Sequence, residues 1–521
     1  MWIVLGEEKG RIKLVSKTGT RGILPKGSFL TIEEENNKYI LRIEDSFQTE
    51  PYTPTPMLAD MDLSPLKQDQ KCQNIVYAYR VFDISQSSDG LIDFIKPQSI
   101  ARRSTQGEID IALETAKEGP LVFLATLYSG KNQILCDDKG KPIITRLPLD
   151  MFFHQMLVCG KVGSGKTVAT KYLAQYFVED FPNYGAVLAI NVKDVDFLRM
   201  DQPSITIYDS IRNEWKSIEK TPHSIENFTV YYPVNSEIGV NQGVNFDNCR
   251  RITLNISELE PEALSGVIQG ISDVGAQHLP NIFRSWKENR VRRGEEIHFT
   301  DFVNYFMAGR NQNYEFTALN SRGDDYDVRL AWATYENILR NLETSMEFFD
   351  NENADSINTE DILVRGKMSV IDVAGRNGIQ FGSIILRHLL RNIIEIKSRN
   401  LSTVPILIII DEVHKFYDST SAREALDELD TICRTGRSLE IGVIFSSQNP
   451  QDIPRGLSSV INTKIFFKTD TPLIRDFGIN VSSEEMQSLK KGYAIVNIHE
   501  MSQIKVLKFP LSLSGVFEKG G

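Results

Sequence analysis

The chain has 521 residues, with 58 Lys and Arg against 69 Asp and Glu for a formal charge of −11, and a globular composition of 41% hydrophobic, 24% charged and 9% aromatic residues. That balance excludes wholesale disorder and argues against a surface coated in positive charge for wrapping nucleic acid, though not against a local basic channel. Five scattered cysteines (Cys72, Cys136, Cys159, Cys249, Cys433) form no CxxC pair, which leaves neither a disulfide framework nor a zinc knuckle and fits a reduced cytosol.

The length calls for two or three domains, or one large domain carrying an insertion. The start, MWIVLGEEKG, lacks a basic region followed by a sustained apolar run. No stretch approaches the roughly 18 consecutive apolar residues of a membrane span. The expectation is a soluble, cytoplasmic protein without a membrane anchor.

Residues 1 to about 45 read as short strands, WIVL, RIKLV, GIL, FLTIE and YILRI, separated by Gly, Lys and Asn, which predicts a small β-barrel. Pro51, Pro54 and Pro56 follow as a linker that cannot sit inside a sheet. Strand-like GPLVFLATLYSG and NQILCDD carry the pattern on, so residues 1–148 are read as the N-terminal barrel domain.

From residue 150 apolar runs alternate with helical segments, the mark of a parallel sheet covered on both faces. The runs are MLVC (156–159), AVLAINV (186–192), MSVIDVA (368–374), ILIIID (406–411), IGVIFSSQ (441–448) and KIFFK (464–468). Between the second and third the rhythm stops, and residues 251–365 look mostly helical. The predicted architecture is α/β: a core split into 149–250 and 366–521 around a helical insertion at 251–365.

CGKVGSGKTVAT, residues 159–170, carries the phosphate-loop spacing G-x-x-x-x-G-K-[ST] at Gly160, Gly165, Lys166 and Thr167, between an apolar run and a helix-like segment. Glycines let backbone N–H groups curl around an anion, and the helix N-terminus adds partial positive charge. Gly160, Gly163, Ser164, Gly165, Lys166, Thr167 and Val168 are the expected nucleotide-holding residues, with Lys166 on the β- and γ-phosphates and the Thr167 hydroxyl on Mg²⁺.

ILIIIDEVHKF ends a buried strand in two adjacent acids. Asp411 at the carboxyl edge suits the metal and Glu412 suits the attacking water; the alternative is that both cap the next helix. Gln448, ending the next strand, reads either as a sensor of the γ-phosphate or as a strand-end hydrogen bonder. Arg434 and Arg437 in CRTGRSLEIG read either as guanidinium groups offered to a neighbouring subunit's phosphates or as a solvated helix end. RSWKENRVRRG, with Arg284, Lys287, Arg290, Arg292 and Arg293 around Trp286, is the densest basic cluster, a solvated helix face or a nucleic-acid stripe.

In combination, GKVGSGKT, ILIIIDEVHKF, RTGRSLEIGVIFSSQNPQDIP and INTKIFF, preceded by a small barrel, resemble the HerA-like proteins of the HerA/FtsK superfamily of ring-forming P-loop ATPases. The resemblance implies a RecA-like core and a homohexamer that hydrolyses ATP with Mg²⁺ at subunit interfaces. It further implies that the ring drives double-stranded DNA through its pore with a nuclease or other effector on the barrel face. It assigns Lys166 and Thr167 to nucleotide and magnesium, Asp411 and Glu412 to metal and water, Gln448 to sensing, and Arg434 and Arg437 to trans-acting fingers. Two features depart from the pattern: FFHQML, with His154 where an arginine is expected, and NVKDVDFL, which carries no ribose-phosphate signature; Lys193 within it and Arg199 just after it stand as candidates for the pore.

The resemblance implies DNA-end processing or antiviral defence, the latter with an effector such as a sirtuin-like protein. A conjugation-type export ATPase and a ring scaffold that activates effectors with ATP serving assembly are the competing functions.

Overall fold

The computed structural model describes residues 1–16, 24–35, 37–49, 73–85, 94–128, 131–193, 195–234, 238, 243–262, 264, 271–374, 378–416, 429, 431–453, 460–470, 481–499, 501 and 505–518. The Pro51, Pro54 and Pro56 linker and most of the GIL strand lie outside them. Six strands open the chain: β1 (Trp2–Glu8), β2 (Arg11–Ser16), β3 (Phe29–Glu33), β4 (Asn37–Thr49), β5 (Gln73–Ser85) and β6 (Ile100–Arg103). They close into a barrel in the order β1-β2-β5-β4-β3-β6, with Trp2 opposite Ala101 and Ile3 opposite Ile100 sealing the ring. Alternation fills it: Trp2, Val4, Ile12, Leu14, Ile32 and Leu41 point inward. β4 is 13 residues long, and its register breaks at Ile40/Leu41 and Ile43/Asp45 mark the bulges that let so long a strand bend around the wall.

The barrel ends at Arg103. Helix α1 (Gln106–Ala112) comes next, opened by a capping box in which Thr105 and Glu108 satisfy each other's backbone N–H. β7 (Leu121–Tyr128), β8 (Lys131–Ile134) and β9 (Ile144–Arg146), which the strand pattern groups with the barrel, instead extend the flank of the core sheet, β7 joining it with Leu507 opposite Leu124 and β8 and β9 pairing with β7. The residues from 122 to 126 are buried without alternation, as a strand covered on both faces requires.

Beyond them come β10 (Met156–Cys159), α2 (Lys166–Glu179), β11 (Ala186–Asn191), α3 (Asp209–Ser217), β12 (Phe228–Pro233) and β13 (Cys249–Thr253). The insertion holds α4 (Asp273–Arg293), α5 (Phe299–Ala308), a hairpin of β14 (Glu315–Leu319) and β15 (Asp325–Arg329), and α6 (Trp332–Ser345). It is helical with one hairpin, and its aromatic centre is Phe283, Trp286, Phe302, Phe306, Phe316 and Tyr335. The chain rejoins the sheet through β16 (Asp355–Ser356), β17 (Met368–Asp372), α7 (Gly378–Ser398), β18 (Ile406–Ile410), β19 (Ile441–Ser447), β20 (Thr463–Phe466), β21 (Tyr493–Asn497) and β22 (Val506–Lys508).

Among the described residues the sheet has 14 strands in the order β16-β13-β12-β17-β11-β18-β19-β10-β20-β21-β22-β7-β8, with β9 on β7. From β16 to β20 every neighbouring pair is parallel. Each of the six apolar runs forms a strand here, and β18 is buried at every residue. β10 sits between β19 and β20, so the segment after it emerges at the centre of the sheet's carboxyl edge.

Candidate nucleotide site

Immediately after β10 the chain turns through the glycine loop into α2. Gly163 and Gly165 adopt φ of +78° and +106°, the left-handed region a side chain disfavours. A Cβ on Gly165 would stand 2.7 Å from the Gly492 N, and one on Gly160 would stand 2.7 Å from the Phe467 Cβ. The loop is pinned from three sides: Gly160 N donates to Ser447 O at 3.2 Å, Lys161 N to Lys468 O at 2.8 Å, and Gly492 N to Ser164 O at 2.9 Å. Those bonds leave a preformed cradle at the N-terminus of a 14-residue helix.

The acids meet the loop because β18, β19 and β10 are consecutive parallel strands, so the segments leaving their carboxyl ends share one edge of the sheet. Lys166 Nζ lies 3.4 Å from Glu412 Oε1, with both side chains 7% exposed. The same Glu412 oxygen accepts from Gln448 Nε2 at 2.9 Å. Asp411 Oδ1 accepts from Ser446 Oγ at 2.7 Å. Burial pushes the Asp411 carboxyl above the usual carboxylate range, against the opposing pull of Lys166 and the Ser446 hydroxyl. Glu412 holds a φ of +44°, a left-handed turn directly after the strand, the kind of strain that collects at functional sites.

Ser164 Oγ is buried without a hydrogen-bond partner among the described residues, and Glu412 Oε2, also without a hydrogen bond, faces His414 Nδ1 at 3.5 Å. A free hydroxyl and a loosely held carboxylate oxygen beside an anion cradle suit a hydrated hard cation and a polarised water. With Thr167 at the second position of α2 and Asp411 beside Lys166, the donor set fits Mg²⁺. A cleft of about 320 Å³ adjoins the loop, lined by Gly165, Val168, Tyr208, Ile211, Phe509 and Pro510. A larger cleft of about 540 Å³ lies at the far end of α2 around Arg146 and Tyr176, and one of about 820 Å³ adjoins it around Arg146 and Lys216; neither includes the loop or acid residues.

Arg434 and Arg437 are exposed and stand apart from this cluster, Arg434 among the last helical residues and Arg437 in the turn that leads into the opposite, amino end of β19. Arg437 Nη2 lies 3.8 Å from Asp150 Oδ2. His154 is 8% exposed and packs on His499 with ring centroids 4.4 Å apart. Lys193 is exposed, whereas Arg199 lies over the Phe517 ring at 4.1 Å.

The basic cluster is largely consumed within the insertion. Arg284 donates to Asn281, to Leu319 O and to Glu262. Lys287 Nζ donates to Ser257 O at 2.6 Å and Leu259 O at 2.9 Å. Arg290 pairs with Asp301 at 3.0 Å and Arg292 with Glu288 at 3.0 Å, while Trp286 is core. Arg284, Lys287 and Arg290 thus brace the insertion internally, which neither a solvated face nor a nucleic-acid stripe anticipates, while Arg292 and Arg293 are exposed.

Sequence reasoning misses Ser446, which holds Asp411, and Gly492, which holds the loop. Ser446 is visible within the SSQ that ends β19; nothing local marks Gly492.

A glycine cradle on a helix N-terminus, with paired acids on an adjacent strand of a parallel α/β sheet, defines the P-loop nucleoside-triphosphatase fold. No family model matches the chain. It is 27% identical over 166 residues to the DNA double-strand break repair helicase HerA of Sulfurisphaera tokodaii, covering 29% of this chain and 33% of that protein. It is 25% identical over 219 residues to the probable DNA double-strand break repair helicase HerA of Methanocaldococcus jannaschii, covering 36% of this chain and 44% of that protein. The chain thus spans less than half the length of these relatives. VirB4 of Thermoanaerobacter pseudethanolicus superposes with a TM-score of 0.47 and 12% identity, over 76% of this chain and 97% of that one. Within the P-loop class the chain is similar, over about a third of its length, to HerA proteins. Among the described residues no helix is long and apolar enough to cross a membrane.

Proposed function

We propose that the chain hydrolyses ATP and uses the energy to move double-stranded DNA through a homohexameric ring, serving a nuclease or other effector, a sirtuin-like one included, docked on the barrel face. DNA-end processing and antiviral defence are the two settings this reading allows. The observation that carries it is the buried junction of Lys166, Glu412 and Gln448 at one sheet edge. A nucleotide binder that never turns over does not need the second acid; a hydrolase does.

In this reading the loop N–H groups and Lys166 take the phosphates, and Asp411 and Thr167 hold Mg²⁺. That ion, when bound, neutralises charge on the β- and γ-phosphate oxygens. Glu412 orients and deprotonates the attacking water, with Gln448 fixing its carboxylate. Incoming phosphate competes for Lys166, which releases Glu412 from its resting partner. Arg434 and Arg437, about a strand's length from their own loop, serve the nucleotide of the next subunit.

The experiment is the ATP hydrolysis rate with and without linear double-stranded DNA, alongside the mass of the assembly. A hexamer stimulated several-fold by DNA supports the reading. A ring that hydrolyses ATP at one rate regardless of DNA is a scaffold, and refutes translocation.

A further inference from the structure

The segment that leads into the phosphate-loop strand is also the seat of the arginine turn. Gln155, the residue before β10, is 1% exposed and holds a φ of +53°, unfavourable for a side chain this size. Its amide faces the turn on both sides: Nε2 approaches Ile432 O at 3.5 Å and Ile441 O at 3.4 Å, while Oε1 accepts from Val443 N at 2.7 Å. Those two carbonyls bracket Gly436, where an added Cβ would meet each of them at 2.5 Å and the Gln155 amide nitrogen at 3.1 Å. One residue on stands Arg437, beside Asp150 of the same lead-in segment. Packing is equally close at Gly442, whose Cβ would strike Phe152 O at 2.2 Å.

A buried, left-handed glutamine whose amide approaches the two carbonyls flanking one turn and accepts from an N–H of the strand that follows is an expensive arrangement. The same side chain therefore ties the turn to β19, just where the pairing of that strand with β10 begins. It joins the turn bearing Arg434 and Arg437 to a segment that reaches the glycines of the phosphate loop in five residues, about 16 Å of extended chain. We propose that Gln155 is the positioning residue for the arginine turn, holding Arg434 and Arg437 in fixed relation to β10 so that the pair is presented to the adjacent subunit's nucleotide. This rests on the reading of those arginines as trans-acting.

The test is subunit mixing with the full-length protein. Gln155→Met keeps the volume and removes the amide; Gln155→Glu keeps the acceptor and loses the donors, and replaces the first variant if it does not fold. Either alone is expected to lower kcat at least tenfold while KM for ATP stays within twofold. Mixed with Lys166→Ala subunits, which lack a working loop but carry an intact arginine turn, the Gln155 variant should regain activity well above the sum of the two alone. A mixture that stays at that sum, or a KM that rises with kcat preserved, overturns the proposal. The parallel mixture of Arg434→Ala/Arg437→Ala with Lys166→Ala separates the two levels. If it regains activity and the Gln155 mixture does not, the role of Gln155 fails alone. If neither mixture regains activity, the trans reading fails and the proposal falls with it.

Discussion

Lys166 Nζ and Glu412 Oε1 lie 3.4 Å apart, which makes the phosphate-loop lysine the resting counter-charge of the acid that ends β18. Both side chains are 7% exposed, so neither is solvated enough to be left alone. Removing one partner should therefore cost more than removing both. Lys166→Met is expected to destabilise the chain by about 3 kcal/mol, with part of that loss recovered in Lys166→Met/Glu412→Gln. Urea denaturation of the three proteins checks this; a double variant less stable than the lysine variant contradicts the pairing.

Much of this site is legible in the sequence because its parts are local. The glycine spacing at 160–167, the apolar run ending in Asp411 and Glu412, and the polar residue closing the next run each announce themselves within a dozen residues. Their meeting depends on parallel strands being adjacent, and β18 and β19 are. β12, FTVYYP, is not among the predicted runs, because two tyrosines and a terminal proline do not look like the aliphatic strands around it. β7 to β9 read as barrel strands because the strand that ties them to the core sheet, β22, lies nearly 400 residues from β7, while β8 and β9 pair only with β7, and no periodicity encodes a distant partner. Gln155 carries no signal, since a lone glutamine before a strand becomes informative only when the turn it faces is known.

Gly165 tests the cradle itself. Its φ of +106° and the 2.7 Å from a would-be Cβ to Gly492 N leave no room for a side chain. Gly165→Ala should lose nucleotide binding and cost more than about 1 kcal/mol in stability. Isothermal titration with a non-hydrolysable ATP analogue, paired with thermal unfolding, gives both numbers.

Lys171 is buried on α2, where its Nζ donates to Gly515 O at 2.8 Å. Burial lowers its pKa to about 8, whereas the unfolded chain keeps the proton to about pH 10.4. Between those values the unfolded state binds more protons, so this residue's contribution to stability rises with pH. Relative to Lys171→Met, the wild type should gain on the order of 2 kcal/mol from pH 7.5 to pH 9.5 in urea denaturation. An unchanged difference would show that the lysine stays charged in its site.

The internal pairing of Arg284, Lys287 and Arg290 gives the insertion a structural role that charge reversal can expose. Arg290→Glu sets a carboxylate beside Asp301, and removes a guanidinium lying 5.5 Å above the Trp286 ring, so a loss of about 1–2 kcal/mol is expected. Arg292→Glu/Arg293→Glu should leave both stability and the salt dependence of DNA binding unaltered. Fluorescence anisotropy with a duplex at several salt concentrations decides it, since a lost phosphate contact flattens the salt slope by about one per residue.

The central claim is that Glu412 turns over ATP held by the loop of residues 160–167, and steady-state hydrolysis by Glu412→Gln measured beside ATP retention tests it most directly. The account predicts a fall of at least about 100-fold in kcat with ATP still bound, since general-base catalysis is worth roughly that much. Hydrolysis at the wild-type rate in that variant would contradict it.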